Sequence, residues 1–353
     1  MPKPLSTLHV DLGREWRGGQ SQALLLARGL LAEGQVAEMA AVEGSPLAER
    51  ARAAGVRVHA VGRALAPLAI RGLLGGARFD LVHCHDAHGL TAAWLAGAGR
   101  RVPLVASRRV AYPLARNALA RRRYQAAARI IAVSEFVKRS VVASGVPAAK
   151  VEVVYDGVEL PVLAPGRERG AASGPRLLGC VGYLLPEKGQ ELLIRALPLL
   201  LDRRPDCRLL LAGAGPCRAA LERLARQLGV AGAVRFAGFV DDIDGVYRSL
   251  DVFLFPSLAE PLGSALLSAM AYGLPAIAAA RGAVPEVIED GRDGLLVREL
   301  APEAFAAAVS RLLDDPALAA RLGAAARQTV DSRFSADAMT RGTLQVYHRV
   351  LAC

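Results

Sequence analysis

Short apolar runs alternate with helix-period segments along nearly the whole chain, and this alternation leaves few folds open. LHVDL (8–12) is apolar enough for a buried strand, and QSQALLLARGLLAEG (20–34) has helical spacing. VHAVG (58–62), DLVHCH (80–85), VPLVAS (102–107) and RIIAVS (129–134) read as further short strands between helical segments. Continuous apolar strands separated by helices specify parallel sheets covered on both faces. The alternation breaks once, at LPVLAPGRERGAASGP, which is rich in Pro, Gly, Ala and charge and has no periodicity. It then restarts with RLLGCVGYL, CRLLLAG, AVRFAGFV, DVFLFP, LPAIAAA and DGLLV, with helices expected from Glu187, Pro216, Gly263, Pro302 and Pro316.

The expected organisation is therefore a Rossmann-like domain over 1–160, a linker over 161–175 and a second domain over 176–334. A last helical segment spans 335–353, with Ser335 as its N-cap. A chain of 353 residues is long enough for two domains with separate cores. Two doubly wound domains imply ligand sites at the carboxyl ends of strands, facing a central cleft.

Charge is unevenly spread. Only four of the 44 basic residues are Lys, a bias that should act on both halves alike. Yet residues 1–160 hold 22 basic and 12 acidic side chains, whereas 161–353 hold 22 and 21. From Ala87 to Ser134 there are nine Arg and no acidic residue. Such a face points to an anionic partner, with a merely solvated face as the alternative. Five cysteines, odd in number and without a CxxC pair, fit reduced thiols rather than disulfides or a zinc site. No apolar run approaches the roughly 20 residues that span a bilayer, and the start lacks a signal-peptide core, so a cytoplasmic location is expected. Aromatic content of 5% and the lack of a recognition module argue against nucleic acid binding.

Several motifs sit where strands meet helices. AGAGP (212–216) allows a tight turn, but Arg218 stands where a dinucleotide fingerprint has its third glycine. RGGQSQ (17–22) is a double-glycine turn ahead of a helix, where backbone can approach an anion. YLLPEKGQELL (183–193) puts Lys188 and Gly189 at a strand end, and a Lys in this Arg-rich chain is a point charge suited to phosphate. HCHDAH (83–88) places His83 and His85 on one face of a strand; metal, sugar hydrogen bonding and packing are all open to it. In EPLGSALLSAMAYG (260–273), Glu260 can accept sugar hydroxyls, while the N–H groups of Leu262, Gly263 and Ser264 can hold a diphosphate.

Taken in order, these pieces resemble family 4 of the retaining glycosyltransferases, which have the two-domain GT-B fold. RGG (17–19), DLVHCHDAH (80–88), AVSEFVKRSVVASGVPAAKVEVVYDGVE (132–159), GYLLPEKG, AGAGP, VRFAGFV, AEPLGSALLSAMAYGLP and PEVIEDGRDGLLV (285–297) carry the resemblance, from Leu8 to the C-terminus. It implies transfer of a sugar from a nucleotide-sugar to an acceptor hydroxyl with retention, without a metal or other cofactor. It implies that Lys188 holds the diphosphate and Glu260 the donor sugar. His85 would line the sugar and acceptor site, and Gly19 would close over the reacting centre. The final helix would cross back to the N-terminal domain.

Two positions depart from the family pattern. Its second glutamate, which binds the ribose diol, is here Ser268, and the Arg of its GxL strand end is here Tyr183. An active enzyme with a softened ribose contact is expected; a non-catalytic GT-B partner subunit and a nucleotide-sugar epimerase are the alternatives. Arg108, Arg109, Arg121, Arg122 and Arg123 form the expected acceptor or membrane face. They fit a glycan or lipid-linked acceptor, such as a lipopolysaccharide precursor, and peripheral attachment to an anionic inner membrane surface.

Overall fold

The computed structural model describes residues 3–76, 79–114, 118–162 and 175–352. Most of the expected linker, 163–174, lies outside the described residues. The described chain divides into two compact units, Met1–Gly157 with Ser335–Cys353, and Val158–Phe334.

Unit 1 runs β1 (Ser6–Asp11), α1 (Gly18–Ala32), β2 (Val36–Val42), α2 (Pro46–Ala53), β3 (Arg57–Val61), α3 (Ala66–Leu74), β4 (Leu81–Cys84), α4 (Ala87–Leu95), β5 (Leu104–Arg108), α5 (Ala118–Ala126), β6 (Arg129–Ala132), α6 (Glu135–Ala143) and β7 (Val151–Val153). Its seven strands pair in parallel in the order β3-β2-β1-β4-β5-β6-β7. β2 and β7 were not foreseen. The sequence of β2, VAEMAAV, is alanine-rich and carries Glu38, but that carboxylate is buried against His59 at 2.6 Å. A tertiary partner makes an acidic residue acceptable inside this strand.

Unit 2 runs β8 (Leu177–Val181), α7 (Gln190–Leu201), β9 (Arg208–Ala212), α8 (Arg218–Gln227), β10 (Val234–Gly238), α9 (Ile243–Ser249), β11 (Val252–Phe255), α10 (Ser264–Ala271), β12 (Ala276–Ala279), α11 (Val284–Val287), β13 (Leu295–Val297), α12 (Pro302–Asp314) and α13 (Pro316–Arg333). Its six parallel strands take the order β10-β9-β8-β11-β12-β13. Leu178, Ile194, Leu197, Leu211, Leu254, Ile277, Phe305 and Val309 fill its core. Helix α7 begins at Gln190 rather than Glu187. Pro186–Lys188 forms a single 3₁₀ turn, and Gly189, at φ +70°, breaks it from the helix.

The last helix, α14 (Ala336–Leu351), belongs to unit 1 and is capped by Ser335, whose side chain accepts the Ala338 N–H. It packs on α1 so closely that a Cβ at Gly29 would lie 2.1 Å from Thr340 Oγ1. Val346 and Tyr347 join Leu26, Leu30, Met39 and Leu81 in the core of unit 1. In each sheet the strand order reverses once, between β1 and β4 and between β8 and β11. The loops leaving those strands hold most of the residues singled out above.

Candidate active site

In unit 2, the loops after β8 and β11 are sewn together by backbone. The Leu258 N–H donates to Glu187 O at 2.8 Å, and a Cβ at Gly189 would stand 2.3 Å from Pro256 O. This approach brings Lys188 Nζ to 2.7 Å from Glu260 Oε2. Ser257 Oγ donates to the same oxygen at 2.9 Å. Glu260 is 7% exposed, and its backbone is held from behind: Ala283 N–H donates to Glu260 O at 2.9 Å, and Gly282, at φ +60°, leaves room for that contact. The pair the sequence placed on one sheet edge is thus a direct, partly buried ion pair with a fixed carboxylate. Lys188 has three donors and commits one to Glu260.

Helix α10 starts beside them. Gly263 is its N-cap at φ +106°, a conformation that any Cβ would strain, and Leu262 is buried. The first N–H groups of the helix have no partner within it, which leaves Ser264 and its neighbours as donors for an anion. Ser268 lies one turn further on, close to the phenol of Tyr247, which donates to Ala265 O at 3.2 Å. Burial holds the Tyr247 phenol well above its usual range. Nothing in the sequence marks Tyr247 as a neighbour of Ser268. Tyr183 follows β8 with its backbone O accepting from Gln190 Nε2 at 2.9 Å, and the residue is 51% exposed.

In unit 1, the residues after β1 and β4 gather three histidines. His9, from β1, was missed by sequence reading; only the parallel pairing of β1 with β4 sets it opposite His83. His9 Nδ1 lies 2.9 Å from His85 Nε2, and His9 Nε2 lies 3.0 Å from Thr7 Oγ1. His83 Nδ1 meets Tyr347 OH at 2.6 Å and its Nε2 meets Ser107 Oγ at 2.8 Å. Arg109 Nη1 is 3.2 Å from His85 Nδ1, and Arg109 Nε donates to Asp156 Oδ1 at 2.8 Å. Three histidines with ligand atoms within 4.8 Å of one another match the count of a catalytic zinc centre. Here, however, every ring nitrogen already has a protein partner, and a guanidinium faces the cluster.

Burial, then the Arg109 charge, holds His9 down to about 3. Burial, then the neighbouring His9 and Arg109, lowers His83, and burial, then His83 and Arg109, lowers His85. Asp11, at the end of β1, is pushed up to about 6 by burial and by the Asp86 charge, against hydrogen bonds from Gln20 and Gly13. Asp86 caps α4 through the N–H groups of His88 and Gly89. Gly19 lies in the first turn of α1 rather than in a turn ahead of it, and no protein atom comes within 4 Å of where its Cβ would stand.

The expected basic face is only partly a face. Arg121 and Arg122 are exposed on α5, and Arg123 is half-buried with Nη1 donating to Thr91 Oγ1 at 2.6 Å. Arg108 is a correction: as the last residue of β5 it turns inward and is 6% exposed. It donates to Tyr112 O, lies under the Tyr112 ring at 4.7 Å and reaches Tyr124 OH at 3.5 Å. Arg109, paired with Asp156, faces the histidines instead.

Comparison with known proteins agrees with both halves. The family model described as Glycosyltransferase Family 4 matches residues 16–161, and that described as Glycosyl transferases group 1 matches residues 167–329. An uncharacterised glycosyltransferase of Methanocaldococcus jannaschii is 31% identical over 307 residues, 78% of this chain and 77% of that protein. A D-inositol 3-phosphate glycosyltransferase of Streptomyces scabiei is 32% identical over 304 residues, 76% of this chain and 68% of that protein. Among solved structures, Anabaena HepE in complex with UDP and glucose has a TM-score of 0.83 at 20% identity, over 98% of this chain and 99% of that one. With two parallel-sheet units of this topology and relatives matched over most of their length, the chain belongs to glycosyltransferase family 4 and has the GT-B fold.

Proposed function

We propose that this enzyme transfers a sugar, with retention and without a metal, from a nucleoside diphosphate sugar to a hydroxyl of a phosphorylated or lipid-linked glycan acceptor. The Lys188–Glu260 pair beside the N-terminus of α10 carries this reading. The Lys188 ammonium and the α10 N–H groups answer the charge of the departing diphosphate, which is the role a metal plays elsewhere. Glu260, fixed by Ser257 and Lys188, keeps its other carboxylate oxygen for sugar hydroxyls. Leu262, Gly263 and Ser264 lie along the diphosphate, Tyr183 and Ser268 border the nucleoside, and Gly19 and His85 border the sugar and acceptor.

An anionic acceptor fits Arg121 and Arg122 and the acid-free stretch around them. The name of the Streptomyces relative also points to a phosphorylated acceptor. UDP is the nucleotide bound in the Anabaena neighbour, so UDP-sugars are the first donors to try. No described helix is long and apolar enough to cross a membrane. The proposed access to a lipid-linked acceptor is peripheral, from the cytoplasmic side, through the basic face of Arg121 and Arg122.

The test is a thermal-shift series with UDP, GDP, ADP and CMP, alone and as sugar conjugates, followed by assay of nucleotide release. A ligand at 100 times its Kd stabilises by about 2.7 kcal/mol, which is easily read. Binding of one nucleotide and its release on addition of a phosphorylated acceptor supports transfer. Release without acceptor indicates an epimerase or hydrolase, and absence of any binding at millimolar concentration indicates a non-catalytic partner subunit.

A further inference from the structure

His85 stands between Arg109 and His9, and those two contacts together decide where its proton lies. A guanidinium has five N–H donors, no acceptor, and does not deprotonate in proteins. With Arg109 Nη1 3.2 Å from His85 Nδ1, that nitrogen must offer a lone pair. A neutral His85 then carries its proton on Nε2, which donates to His9 Nδ1 at 2.9 Å. His9 in turn carries its proton on Nε2 and donates to Thr7 Oγ1 at 3.0 Å. Thr7 passes its own hydroxyl proton to Val36 O at 3.2 Å. Asp156, accepting from Arg109 Nε at 2.8 Å, fixes the guanidinium at the head of the file. One hydrogen assignment satisfies every contact, and reversing it would set an Arg donor against a ring N–H.

His83 provides the contrast. It lies between Ser107 and Tyr347, two hydroxyls that can each donate or accept, so neither of its tautomers is excluded. The charged or titratable groups packed around the file are Arg109, Asp156, His83 and Tyr347, with Asp86 adjoining His85 in the chain and Asp11 hydrogen-bonded nearby through Gly13 and Gln20.

We propose that Arg109 is a positioning residue that locks His85 and His9 as neutral Nε2–H tautomers, so that His85 is an oriented, uncharged group and not a proton carrier. This deepens the reading of His85 as a sugar- and acceptor-site residue, and only its catalytic consequence rests on that reading. Neither nitrogen of His85 can exchange a proton with substrate without losing Arg109 or His9. The pH profile of kcat therefore has no limb between pH 5.5 and 8 that disappears in His85→Gln.

The deciding measurement needs no substrate, so it stays separate from the transferase assay. Long-range ¹H–¹⁵N spectra of the full ¹⁵N-labelled chain distinguish protonated from bare ring nitrogens, with His9→Gln, His83→Gln and His85→Gln used for assignment. Expected for His85 and His9 are a bare Nδ1 and a protonated Nε2, unchanged from pH 5.5 to 8. In Arg109→Met, His85 should become a mixture of its two neutral tautomers, since nothing then obliges Nδ1 to offer a lone pair, while Arg109→Lys, which still only donates, should keep the wild-type pattern. A proton on His85 Nδ1, an imidazolium near pH 7, or an Arg109→Met spectrum like wild type overturns the proposal. So does a joint movement of all three rings at one equivalent of Zn²⁺, which would make the cluster a metal centre. If Arg109→Met does not fold, the wild-type tautomers and the Arg109→Lys spectrum still decide.

Discussion

Lys188 and Glu260 hold one another at 2.7 Å, so a change to either acts on both. Glu260→Gln keeps the shape of the side chain but removes the charge that orients Lys188 and the strong acceptor for sugar hydroxyls. Transfer rate should fall by about 10²-fold or more, with the melting temperature little changed, because Ser257 can still bond the amide oxygen. Lys188→Met should cost a similar factor in kcat and also lower the melting temperature, since it leaves a mostly buried carboxylate without its cation. Rate and thermal unfolding measured side by side on the two variants check this division. Ser268 poses a finer question. A glutamate there can take both ribose hydroxyls, a charge-assisted contact worth roughly 1.5–3 kcal/mol, or about 10- to 150-fold in nucleotide affinity. The gain expected for Ser268→Glu, read by calorimetry, should be larger in a Tyr247→Phe background, where the neighbouring hydroxyl is gone.

At the scale of elements, two helix starts use glycine for different reasons. Gly263 caps α10 at φ +106°, with Phe255 only 3.2 Å from where a Cβ would be. Gly263→Ala should therefore cost about 1–3 kcal/mol in chemical denaturation and displace the N–H groups proposed for the diphosphate. Gly19 has an ordinary helical place in α1 and open space beside it. Gly19→Ala should leave stability unchanged or raise it by up to about 1 kcal/mol, since alanine is the better helix former. If substrate comes over this turn, the same variant raises KM or lowers kcat despite its sound fold. A variant that loses stability would instead show that Gly19 serves the protein itself.

For the whole molecule, acid sensitivity should be confined to one unit. All six histidines lie in unit 1, and three of them are buried and held neutral. A histidine whose folded value is lowered stabilises fully above the ordinary value near 6.5 and loses that contribution as pH falls toward the folded value, about 3 for His9. Each such ring costs about 1.4 kcal/mol per pH unit below 6.5, as the unfolded chain takes up a proton that the fold refuses. Asp11 acts in the opposite sense: raised to about 6, it favours the fold below 3.8 and loses that contribution as pH rises through 6. Hydrogen exchange at pH 5 against pH 7 should show unit 1 losing protection while unit 2 keeps it. Asp11→Asn should raise stability at pH 8, by up to about 3 kcal/mol.

Two parallel sheets, and Lys188 and Glu260 as neighbours on one sheet edge, were legible in the sequence. Apolar periodicity, glycine and proline positions, and a Lys kept in an Arg-rich chain are local signals that need no partner to be seen. What stayed hidden depends on strands adjacent in space but far apart in sequence. His9 looked like a core residue of β1 until β4 paired beside it, 74 residues away, and brought His83 and His85 to its ring. Arg108 and Arg109, identical neighbours in sequence, part because successive side chains of an extended chain turn to opposite sides, one under Tyr112 and the other onto His85. Ser268 reads as a lost charge in the sequence and as a neighbour of the Tyr247 phenol in the fold. The sequence by itself determined which elements form and where their polar ends lie. Only the tertiary structure decided which of those ends meet, because hydrogen bonds and buried charges take their meaning from the groups that face them.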